Sequence, residues 1–151
     1  MKKAGYSAQD VDPETTAKAM GRELFIPTKK TFELCRAIRG MNVERAKEYL
    51  ENVIALKQPV PFKTYRRWVG HKKGIGPGRY PVKSARAVLK VIENAQENAE
   101  YKGLTSDNMR IKVIAAHKGS PNKAMMPRAM GRSTRWYHET VNIELVLEEV
   151  K

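Results

Sequence analysis

Three imidazoles and one thiol are the side chains best suited to covalent or metal chemistry in this sequence: His71, His117, His138 and Cys35. A zinc site needs three or four ligands at close spacing, and one cysteine with three scattered histidines matches none of the usual patterns. A cysteine nucleophile needs a base beside it. Cys35 instead shares the apolar face of a helical pattern with Leu34 and Ile38, where a thiol is a small buried hydrophobe. Gly74, Gly76 and Gly78 are not a dinucleotide fingerprint, because Arg79 follows them and no strand pattern precedes them. No P-loop is present. Glu148 and Glu149 are adjacent acids at an exposed end, where solvation is the ordinary role. These residues predict no catalytic centre, no metal and no cofactor.

The chemistry that the spacing does support is electrostatic. The formal net charge is +13, an excess that repels itself unless a polyanion neutralises it. Nucleic acid is the favoured partner on charge; an anionic membrane or an acidic protein are the alternatives. The charges are also segregated. Acids are absent from Asn52 to Ile92, which carries ten Lys and Arg residues, and again from Asn108 to His138, which carries seven. The first stretch holds Lys63, Arg66, Arg67, Lys72, Lys73, Arg79, Lys83 and Arg86; the second holds Lys118, Lys123, Arg128, Arg132 and Arg135. With Lys29 and Lys30 they are the candidate phosphate-binding residues. Tyr65, Trp68 and Tyr80 lie among the cations and could stack on bases.

The elements that must carry these residues read as follows. Residues 1–14 are polar and aperiodic, a flexible arm, and residues 15–22 suit a short strand. Thr28 is expected to cap a helix running to about Arg39, closed by Gly40. Asn42 caps a second helix, with Val43, Ala46, Leu50, Val53 and Ile54 on one face. Prolines and glycines break residues 58–80 into an extended basic loop, ordered only by a partner. A third helix spans roughly Val82 to Lys102, with a stripe of Ala85, Val88, Leu89, Ile92, Ala95 and Ala99; Gly103 ends it. The period then changes to two. Met109, Ile111 and Val113 face the core and Arg110, Lys112 and Ile114 face away; later Val141, Ile143, Leu145 and Leu147 oppose Asn142 and Glu144.

Between those strands, Ala115 to His138 has neither a helical stripe nor an acid. It reads as a long hairpin whose outer part has no core of its own. Met125, Met126 and Met130 cluster there without an apolar surround, so they read as an exposed tip. No repeat and no inter-core linker is visible, so residues 1–151 form one domain with 115–138 as an extended hairpin and 58–80 as a basic insertion. No apolar run approaches the ~18–20 residues of a membrane span. The N-terminus is polar, which argues against a secretory signal, and one cysteine allows no internal disulfide, which suits a reducing compartment.

Several segments together resemble a known family. Gly119-Ser120-Pro121 and Met126-Pro127-Arg128-Ala129-Met130-Gly131-Arg132 resemble the hairpin tip of the universal large-subunit ribosomal protein twenty-two family. Thr140 to Leu147 resembles its final strand, Ile38-Arg39-Gly40 with Val43-Glu44-Arg45-Ala46 its first helix junction, and Ser84 to Asn98 its long helix. The match covers about residues 15–149. Residues 58–80 depart from the shorter bacterial pattern and look like the archaeal and eukaryotic branch. The resemblance implies an α+β fold: three helices packed on a small three-stranded antiparallel sheet, with a long protruding β-hairpin. It implies a structural, non-enzymatic role in the large ribosomal subunit of the cytoplasm. The expected partners are large-subunit rRNA, neighbouring ribosomal proteins, and the nascent peptide at a tip of Met125, Met126, Pro127, Arg128, Ala129 and Met130. No membrane and no homo-oligomer are expected. Small residues such as Gly119, Ala129 and Gly131 would let the ribbon pass between RNA strands. A stand-alone nucleic-acid-binding module shares the charge and the aromatics but leaves the acid-free hairpin unsupported. A nuclease lacks the acidic metal cluster it would need.

Overall fold

The computed structural model describes residues 5–9, 11–105 and 108–150. A three-stranded antiparallel sheet lies at the centre, in the order β1 (Thr16–Leu24), β8 (Val141–Glu149), β5 (Met109–Lys118). Helices α1 (Thr28–Ile38), α2 (Val43–Ile54) and α3 (Val82–Tyr101) cover it: α3 packs on β1 and β8, α1 on β5, and α2 on α3. Leu34, Ile38, Leu50, Ile92, Met109, Ile111, Ile143, Leu145 and Leu147 are fully buried between the layers. Each such side chain contributes roughly 1.5–3 kcal/mol by leaving water. The α+β architecture implied by the resemblance is the one found.

Local details show where side-chain chemistry departs from the pattern. Thr28 does not cap α1; Pro27 holds the cap position without a side-chain bond, and the Thr28 hydroxyl donates to Glu139 Oε2 at 2.9 Å. Proline fixes the backbone for helix entry and has no amide to satisfy. Asn42 caps α2 as expected, accepting the Glu44 amide at 3.1 Å. Gly40, with φ +80°, ends the first helix, and its amide donates to the Ile111 carbonyl at 3.0 Å. The alternation expected in β5 fails beyond Ile111. A bulge separates Ile111, opposite Leu147, from Val113, opposite Val146. The extra residue turns the strand over, so Ile114 is buried and Val113 only partly so.

The N-terminal segment is not a free arm throughout. The Ser7 amide and hydroxyl and the Ala8 amide donate to the carboxylate of Glu144 at 3.0, 2.7 and 3.0 Å. Glu144, placed on the solvent face by sequence alternation, is therefore buried. Residues 1–4 and 10 of the predicted arm lie outside the described residues.

Two further sheets leave the core. Residues 58–80 fold on the protein itself: β2 (Val60–Pro61), β4 (Gly76–Arg79) and β3 (His71–Lys72) pair in that order, with Val60 and Phe62 buried. The expectation of a loop ordered only by a partner is thus corrected. Beyond Lys118, the last residue of β5, strands β6 (Asn122–Pro127) and β7 (Ser133–His138) form a separate two-stranded ribbon. Asn122 pairs with His138 and Pro127 with Ser133.

Candidate nucleic-acid interface

The base of the 58–80 insertion is held by one carboxylate. Glu33 on α1 is buried, and it accepts the backbone amides of Lys63, Thr64 and Tyr65 at 3.2, 2.7 and 2.6 Å. Three amides converging on an anion fix the local chain strongly, because charged hydrogen bonds exceed neutral ones. Arg36 Nη1 adds a bond to the Thr64 hydroxyl at 2.7 Å. Tyr65 is set edge-on to Phe32 at 5.6 Å between centroids, and the Lys29 ammonium lies 5.7 Å from its ring centre. Sequence reading missed Glu33; its only signal was an acid beside Leu34 on a helix face otherwise turned inward.

This anchoring creates a cleft of about 370 Å³ at the junction of α1 and the insertion. Lys29, Lys30, Arg67 and Arg79 line it together with Tyr65, Phe62 and, from the foot of the ribbon, Glu139. Arg79 is steadied by donating to the Trp68 carbonyl at 3.1 Å. Trp68 itself is 90% exposed and in the left-handed backbone region (φ +60°), so it does not pack on the core. Tyr80 is partly buried beneath the Lys72 ammonium, 5.4 Å from the ring centre. Lys63, Arg66, Lys72 and Lys73 are exposed on the same insertion.

The ribbon carries the other group. Lys123, Arg128, Arg132 and Arg135 are exposed along it, with Lys118 exposed at its foot, as are Met125, Pro127, Ala129 and Met130; Met126 is half-buried. Its tip closes through the Arg128 amide donating to the Arg132 carbonyl at 2.7 Å. Arg128 Nε also reaches the Thr134 hydroxyl at 3.1 Å. Met130 is 95% exposed and adopts φ +58°, a conformation costly for a side-chain-bearing residue. Trp136 and Tyr137, which sequence reading passed over, present half-exposed rings on opposite faces of β7. Gly119 has a task within the chain itself. A Cβ there would collide with Thr140 Oγ1, which itself donates to the Ser120 carbonyl at 2.7 Å. Its smallness closes the foot of the ribbon against its own chain.

Lys83 and Arg86 do not join either group; they border a separate hollow beside α3. Of the fifteen candidate cations, Lys118 has an acid within 4.0 Å among the described residues, Glu139 at 3.9 Å, and the others have none. No cluster of His, Cys, Asp or Glu suited to a metal is present among the described residues, and no helix there is long and apolar enough to cross a membrane. Burial pushes the Cys35 thiol up to about 12, with Arg39 opposing only in part.

A helix-covered sheet that projects exposed cations on a folded insertion and a ribbon defines a basic α+β protein built to meet a polyanion. Comparison with known sequences specifies it. Residues 19–148 match the family described as ribosomal protein L22p/L17e. The protein named large ribosomal subunit protein uL22 in Methanococcus vannielii is 49% identical over 152 residues, covering 99% of both chains. Those of the same name in Methanocella arvoryzae and Methanocaldococcus jannaschii are also 49% identical, covering 100% and 99% of this chain and 100% and 97% of their own. The chain belongs to the ribosomal protein L22p/L17e family. These relatives are archaeal, in line with the branch suggested by residues 58–80.

Proposed function

We propose that this chain is a structural constituent of the large ribosomal subunit that binds and organises large-subunit rRNA, with its ribbon tip lining the nascent-peptide exit tunnel. The observation that carries this reading is the ribbon: acid-free from Asn122 to His138, exposed on both faces, and built with no apolar core of its own. Such an element is at its most stable when phosphate surrounds it. The whole chain acts as one rRNA-binding domain in which the 58–80 insertion and the 115–138 hairpin are the two contact surfaces. Lys29, Lys30, Lys63, Arg66, Arg67, Lys72, Lys73 and Arg79 neutralise phosphates at the cleft. Lys118, Lys123, Arg128, Arg132 and Arg135 do so along the ribbon. Met125 to Met130 meet the growing peptide with side chains that adapt to many sequences. Neighbouring subunit proteins complete the setting, in the cytoplasm.

Sedimentation of cell lysate through a gradient after a high-salt wash tests this. A chain interlocked with rRNA stays with the large subunit in stoichiometric amount. Release to the top as free protein would mean peripheral, electrostatic attachment and would sink the interlocked reading.

A further inference from the structure

The bulge at the end of β1 opens a second surface. The β1–β8 register breaks between Gly21 and Leu24, Glu23 takes φ +50°, and its amide is caught by Asn142 Oδ1 at 2.8 Å. The chain then swings outward, and Phe25 is left 59% exposed. Between this bend and α3 lies a groove of about 670 Å³. Its floor and walls are apolar: Met20, Leu24, Phe25, Ile26, Ala87 and Val91. Along one side run Lys83, Arg86 and Lys90, spaced three and four residues apart and therefore on one edge of the helix. Among the described residues none of the three has an acid within 4.0 Å.

The occupant must satisfy both halves. An RNA strand would neutralise the rim and could stack one base on Phe25, but its sugars and phosphates would leave the aliphatic floor of Met20, Leu24, Ile26 and Val91 wet. A second copy would bring the same three cations near their counterparts. A protein segment that alternates apolar side chains with Asp or Glu fills the floor and pairs the rim at once. We propose that this groove docks such an acidic, amphipathic protein segment. Lys83 and Arg86 then serve a protein contact, not the phosphate contact their position in a basic stretch suggests. This assignment does not depend on the rRNA reading of the cleft and ribbon.

The test places a photo-reactive benzoyl-phenylalanine at position 25, or at position 94 at the far end of the groove, in the full chain expressed in its own cells. Position 101, where Tyr101 is 94% exposed, is the background control. Crosslinks are read by mass spectrometry in whichever gradient fraction holds the chain, so a failure of subunit association leaves this test intact. The expected result is one protein segment, reached from both 25 and 94, that carries apolar residues and acids together. Its yield falls severalfold when Lys83→Glu and Arg86→Glu are combined with the probe. Crosslinks to rRNA, to a second copy of the chain, or at no more than the level seen from position 101 overturn the proposal.

Discussion

At the scale of the residue, two buried groups decide what the surface need not do. Cys35 sits wholly within the core, and burial holds its thiol at about 12. The thiolate is the reactive form, so at pH 8 alkylation of the native protein should run on the order of a thousandfold below that of the unfolded chain. Rates of iodoacetamide labelling with and without denaturant check this; equal rates would remove the thiol from the core. Glu144 is the second. Burial alone would raise its carboxyl, but hydrogen bonds from Ser7 and Ala8, with His117 Nε2 at 3.5 Å, more than offset that and hold it below the usual carboxylate range. A lowered acid stabilises the fold above its ordinary pKa and loses that contribution as pH falls through the folded value. The N-terminal segment should therefore stay docked at pH 5 and release only below the ordinary carboxylate range. Amide exchange at Ser7 and Ala8 across an acid titration reads this directly; release above pH 5 would contradict it.

At the scale of the element, helices were the most legible part of the sequence. The stripe from Ala85 to Ala99 and the Asn42 cap led directly to α3 and α2. What escaped were features made by long-range partners. Glu33 and Glu144 gain their roles from segments 30 and more than 130 residues away, which no local period reports. The bulge in β5 likewise depends on how β8 pairs with it, so the inward face of Val113 was misread. The candidate cations were legible as types, but their division into cleft, ribbon and groove came from the fold. One expectation belongs to the ribbon itself. Its foot is pinned by Gly119 and Thr140, while β5 and β8 pair from Met109 with Glu149 up to Lys118 with Val141. None of residues 122–138 is buried, so replacing them with a short glycine-containing turn should leave a cooperative unfolding transition within about 0.5 kcal/mol of the parent, the usual range for surface changes. Gly119→Val, by contrast, forces Thr140 aside and should loosen the ribbon while sparing the helices. Far-ultraviolet dichroism and denaturant titration distinguish these outcomes; collapse of the domain on removing the ribbon would make the ribbon part of the core.

At the scale of the whole molecule, the charge of +13 is arranged, not spread. The facing sides of α2 and α3 gather Glu44, Glu48, Glu51, Glu93, Glu97 and Glu100, while the cleft and ribbon gather the cations. For the isolated protein on single-stranded RNA, affinity should fall linearly with salt on logarithmic axes. Replacing Lys29, Lys30, Arg67 and Arg79 with glutamine should flatten that slope by about 0.7 for each phosphate no longer neutralised. An unchanged slope would take the cleft out of the interface. The sheet order has a consequence in time as well as in space. Its middle strand, β8, comes after both of its neighbours in sequence, and Thr16 of β1 pairs with Glu148 of β8. Until residues 141–149 have been synthesised, β1 and β5 have no common neighbour and the core stays open. Closing so long a loop before any reward makes folding slow. Completion of β8, and not the emergence of the helices, starts the clock for folding, and a strongly cationic chain without its middle strand must be kept from stray polyanions until then.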